Sequence, residues 1–77
     1  MEEKLIAIRK KIKFARLKKE YSQYYMGCRL STSQIAYHNL ENGKSNIKID
    51  TLLKIATILE VDVKDFFDFE ELKKKGS

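Results

Sequence analysis

The sequence predicts an all-α fold, a compact bundle of five helices. Three observations lead there. The 77-residue chain has no proline and only three glycines, so little in it interrupts a helix. Its apolar residues recur at three- and four-residue spacing. Short polar breaks, "LSTS" at 30–33 and "NGK" at 42–44, part the periodic stretches. A chain of this length makes one domain and buries only about 60% of its unfolded surface. That domain is expected at residues 1–69, followed by a short charged tail at 70–77.

The first helix is expected over about residues 3–19. Leu5, Ile8, Ile12, Ala15 and Leu17 mark its apolar stripe, with Phe14 beside them. Lys18 and Lys19 fall in its last turn, where cations suit the helix dipole. Ser22 is a good N-cap for a second helix over about 22–29. Gly27 in its middle costs about 1 kcal/mol against alanine, which makes sense if another helix backbone passes close by. Ser33 caps a third helix that runs to Leu40 or Glu41. With Leu40 facing inward, Tyr37, Ala36 and Ser33 share its side. Ile35 and His38 then point outward, flanked by Gln34 and Asn39. Gly43 can take the left-handed conformation that ends this helix. Ile49, Leu52, Leu53, Ile55, Ala56 and Leu59 mark the fourth helix. Asp62 and Asp65, spaced like a capping box, open a short fifth one with Val63, Phe66 and Phe67. Phe69 and Leu72 follow it.

Composition excludes several kinds of chemistry. With one histidine and one cysteine, there is no metal-ligand cluster, so no metal is expected. His38 and Cys28 fall on different short helices and no oxyanion motif accompanies them, so no enzyme is expected. The glycines are scattered, which rules out a phosphate-binding loop, and no cofactor is expected. The single Cys28 cannot form an internal disulfide, and the "MEEKL" opening carries acids where a signal peptide needs bases. No apolar run approaches the roughly 18 residues of a membrane span, so a cytoplasmic protein is expected.

The formal charge of +5 is unevenly spread. Residues 1–48 hold eleven Lys/Arg against four Asp/Glu, a net of +7, while residues 49–77 hold five against seven, a net of −2. A basic half suits a polyanion. Two short helices joined by a tight turn, the second with a mixed outward face, read as a helix-turn-helix. Gln and Asn amides match the N6/N7 edge of adenine, and an outward isoleucine can meet a thymine methyl.

The segment "SQYYMGCRLSTSQIAYHNLENGKSN" and the closing "TLLKIATILEVDVKDFF" carry a family resemblance. Residues from about 5 to 67 resemble the Cro/phage-repressor (Xre-like) helix-turn-helix family. Ser22-Gln23 stands at that family's "SQ", and Glu41-Asn42-Gly43-Lys44 at its "ENGK". The resemblance implies a lambda-repressor-like five-helix domain whose third helix enters the major groove. It implies a homodimer on a pseudo-palindromic double-stranded DNA operator, and a small transcriptional repressor or regulator is expected. Gln34, Ile35 and Asn39 match the base-contacting positions, with His38 an adjacent candidate. Gln23, Ser33, Asn42, Lys44, Asn46 and Lys48 are the candidates for phosphate contact. Arg16 and Glu41 match an ion pair that ties the first helix to the end of the third in some members.

Gly27 stands where the family prefers alanine, Glu20 where it often has glycine, and Ser31 where glycine is usual in the turn, which points to a turn that is strained or differently shaped. Tyr37 replaces a common aliphatic residue, and its hydroxyl needs a partner. Phe66, Phe67, Phe69 and Leu72 form the expected dimer interface, although Phe66 and Phe67 could equally cap the core. Antitoxins and other interaction modules use the same fold; there the apolar C-terminal end would take a protein partner such as a toxin.

Overall fold

Four α-helices form in the computed structural model, which describes residues 2–69. They are α1 (Glu2–Lys18), α2 (Gln23–Arg29), α3 (Gln34–Glu41) and α4 (Ile49–Leu59). No strand occurs among the described residues. The fifth expected helix is a single 3-10 turn over Val63–Phe67. Asp62 does open it, accepting from the Lys64 N–H at 3.1 Å, and the Asp65 N–H closes back on the Asp62 carbonyl at 2.9 Å. That i→i+3 bond makes the tighter turn. It swings Phe66 into the core, where the side chain is 2% exposed.

Ile8 and Ile12 of α1, Met26 of α2, Tyr37 of α3 and Leu52, Ile55, Ala56, Ile58 and Leu59 of α4 build the core with Phe66. Burial of one such aliphatic side chain stabilises by about 1.5–3 kcal/mol. Two helices face differently from the sequence expectation. On α1 the inward stripe is Ile8, Ile12 and then Arg16, and Leu5 and Leu17 are exposed. On α4 Ile58 turns inward, and Ile49 and Leu53 turn out. At about 100° per residue Leu53 lies about 160° around the axis from Ile55, so the two cannot both face the core.

All four α-helices end alike. Glu20, Ser31 and Glu60 take φ of 61°, 57° and 59°, and Gly43 takes 85°. After each helix the next N–H reaches back to a carbonyl in the last turn. These bonds are Tyr21 to Arg16 at 3.1 Å, Thr32 to Gly27 at 2.8 Å, Lys44 to Asn39 at 2.8 Å and Val61 to Ala56 at 3.0 Å. This is the Schellman arrangement, which satisfies carbonyls that a helix end would leave bare. Only Gly43 adopts the left-handed conformation freely; each side-chain-bearing residue there costs about 1 kcal/mol. Of the two shapes open to the turn at Ser31, the strained one is therefore present, and Glu20 and Glu60 share it.

Candidate nucleic-acid interface

Seven residues of α2 and eight of α3 frame the turn. Ser22 Oγ accepts from the Tyr25 N–H at 2.9 Å, and Ser33 Oγ from the Ala36 N–H at 3.0 Å. Both bonds satisfy N–H groups that a helix start leaves open. Gly27 explains how closely the two helices meet. A β-carbon placed there would lie 2.9 Å from the Ser33 carbonyl oxygen. That oxygen is backbone at the start of α3, so a side chain at 27 would push α3 away.

The inner side of α3 is locked by charge. Arg16 Nε donates to Glu41 Oε2 at 2.8 Å and Nη2 to Oε1 at 3.0 Å. Tyr37 Oη donates to Oε2 at 2.7 Å, and Gln23 Nε2 to Oε1 at 3.1 Å. Arg16 spends its remaining Nη1 on the Tyr21 carbonyl at 2.9 Å. Arg16 and Glu41 are 7% and 5% exposed, so the expected ion pair exists and is buried. Burial alone would push the Glu41 carboxyl up; the bonds from Arg16, Tyr37 and Gln23 outweigh it and hold the group below the usual carboxylate range. Burial, and next the bond to Glu41, raises the Tyr37 phenol far above its ordinary value. The bond to Glu41 likewise raises Arg16. Helices α1 and α2 thus fix the orientation of α3 through one carboxylate.

The outer side of α3 is different. Ile35 is 74% exposed, and Gln34 and His38 are exposed beside it. Asn39 is half-buried at the edge of the same face. The expected base-contacting set is therefore brought together on one surface, centred on Ile35. His38 Nδ1 lies 3.1 Å from Gln23 Oε1 and 3.3 Å from Asn42 Nδ2. One nitrogen serves as donor to the first or acceptor from the second. Gln23 is the surprise here. It stands between the buried carboxylate and the outward histidine, with both ends of its amide engaged.

Around this face lie the other candidates. Ser33 is exposed and, though its oxygen caps α3, still has its own proton to donate. Asn42 ends α3, its Nδ2 donating to the His38 carbonyl at 2.9 Å. Lys44, Asn46 and Lys48 are exposed along the loop to α4. Arg9, which no sequence motif marks, donates through Nη1 to the Leu40 carbonyl at the end of α3. Its signal was available, since cations favour helix C-termini, but no spacing rule selects a partner 31 residues away.

The expected apolar C-terminal interface needs correction. Phe66 belongs to the core and offers no surface, because the 3-10 turn points it at α1 and α4. Phe67 is 45% exposed, and Phe69 packs partly on the core, with Lys4 Nζ 5.6 Å from its ring centre. Leu72 lies outside the described residues. Among the described residues no group of three or more His, Cys, Asp or Glu could hold a metal ion, and no helix is long and apolar enough to cross a membrane.

A family model described as helix-turn-helix (HTH_3) matches residues 12–66. No curated protein and no solved structure matches the chain.

Proposed function

The chain belongs to the Cro/repressor type of the helix-turn-helix family, a family of DNA-binding regulators, and from that premise we propose that it reads double-stranded DNA in a sequence-specific way. The observation that carries this reading is the exposed face of α3, where a 74%-exposed isoleucine sits among amide side chains. Such a face suits a major groove that mixes hydrogen-bond edges with thymine methyls. Gln34 pairs with one adenine, Ile35 meets a neighbouring thymine methyl, and Asn39 reads further along. His38, oriented by Gln23 and Asn42, supplies one more polar contact.

Ser33, Asn42, Lys44, Asn46 and Lys48 hold phosphates and set the register. Gln23 takes this role too, through the second hydrogen of its Nε2, the first being held by Glu41. One eight-residue helix spans few base pairs, so two copies act together on half-sites about one turn apart. Phe67, Phe69 and Leu72 supply their contact. The dimer acts as a small transcriptional repressor by occupying its operator.

Duplex affinity measured over a series of salt concentrations tests the electrostatic half. Lys44→Ala weakens binding to every duplex alike and lowers the salt slope by about 1. A loss confined to one sequence would make Lys44 a base reader. Sedimentation at saturating operator tests the dimer, with two chains per full site expected and one contradicting it.

A further inference from the structure

Helix α1 carries a second apolar face that the fold does not use. Phe14 is 71% exposed, and Ile6 and Leu17 are each 50% exposed. Ile6, Lys10, Lys13 and Leu17 follow one another at spacings of four, three and four, so they share one side of the helix, apolar at both ends and basic between. Beside them, Phe14 forms one wall of a groove of about 700 Å³. Lys11 and Lys18 line the same wall, and Leu59, Val61 and Phe66 close it from the opposite side. Of its two acids, Glu60 is paired with Lys19, which leaves Asp65 against Lys11 and Lys18. An apolar floor under a cationic rim calls for an acidic, apolar occupant.

We propose that this face docks an amphipathic acidic helix of a partner protein. Its apolar side chains enter the groove beside Phe14, and its carboxylates meet Lys10, Lys11, Lys13 and Lys18. The other occupants fit less well. Arg16 points at α3, and Phe14, two residues earlier, lies about 160° around the helix axis from it. The face is therefore turned away from α3, and phosphates give Phe14 and Leu17 nothing to pack on. A second copy paired along α1 would set Lys10 and Lys13 against lysines. It would also place the two α3 helices on opposite sides of the pair, unable to meet one face of a duplex. A bilayer is flat, whereas the groove is a cleft that receives a protruding side chain. The partner thus binds while α3 stays free for DNA, which gives a DNA-bound copy a handle for recruitment.

The test is selection of phage-displayed random helical peptides on the folded protein, with parallel selection on Phe14→Asp and Lys18→Glu. Both positions are exposed, and an unchanged helical circular dichroism signal with a cooperative urea transition certifies that each variant is folded. Enriched peptides should carry apolar residues at i, i+3 and i+4 with Asp or Glu between them. A selected peptide, resynthesised, should lose about tenfold in affinity on either variant. Absence of enrichment, equal enrichment on Phe14→Asp, or enrichment of basic peptides would overturn the proposal. Phosphatidylserine vesicles form the last arm: binding that Phe14→Asp abolishes would make the face a membrane surface instead.

Discussion

On the inner side of α3, Tyr37 is fully buried, Glu41 is 5% exposed, and Arg16, Gln23 and Tyr37 all donate to one carboxylate. On the outer side, Ile35 is 74% exposed and the amides of Gln34 and Asn39 share its face. Eight residues thus hold two surfaces with opposite logic. No buried side-chain nitrogen or oxygen among the described residues lacks a partner, so folding dictates the inner set. Folding dictates nothing about Ile35, which would be no less stable as alanine. A large apolar side chain kept in water beside amides suits a surface that reads a major groove.

The sharpest way to break this contrast is to remove the carboxylate. Glu41→Ala leaves Arg16 buried and unpaired and should cost about 3–5 kcal/mol in urea unfolding. A loss under about 1 kcal/mol would show that water reaches the pair. The sign of the pH dependence follows from the lowered Glu41 group. Its contribution is complete above the unfolded carboxyl value of about 4.3 and is lost as pH falls through the folded value. Unfolding free energy should therefore drop on acidification, and Glu41→Gln should flatten that drop.

Smaller effects follow along the same face. Tyr37→Phe keeps the ring and removes one donor to Glu41, so it should cost about 1–2 kcal/mol. Ser31→Gly relieves a left-handed residue in the turn and should stabilise by about 1 kcal/mol, read as a higher urea midpoint. A destabilised Ser31→Gly would mean that the hydroxyl matters more than the backbone strain. The outer face closes the series: Ile35→Ala should change stability by less than about 0.5 kcal/mol.

Much of this was legible beforehand, for reasons that differ by element. Ser22 and Ser33 announced their helices because a cap is a local bond between a side chain and the next turn. Gly27 announced a close helix approach, since only that justifies a glycine in mid-helix. The outward set of α3 followed from Tyr37 and Leu40 facing in. Helices α1 and α4 misled because each carries apolar residues on more than one side. Periodicity alone could not rank Leu17 against Ile8, or Leu53 against Ile58. On α1 the decisive inward residue was Arg16, a charge that no hydrophobic pattern would place inside; the family resemblance supplied its pairing with Glu41. The roles of Gln23 and Arg9 were hidden because their partners lie 18 and 31 residues away, as Glu41 and the Leu40 carbonyl. The Asp62 cap signals where the 3-10 turn starts and says nothing of its length, so the sequence does not separate it from a full helix.

The central claim is that the outer face of α3 reads sequence while its inner face holds the fold. A specificity profile on a random duplex library, taken for the unchanged protein, Gln34→Ala and Ile35→Ala, tests it most directly. Each variant should relax preference at one position of each half-site, by about 1–3 kcal/mol, with non-specific affinity and folding stability unchanged. Three coincident profiles would contradict the account and take the reading role away from α3.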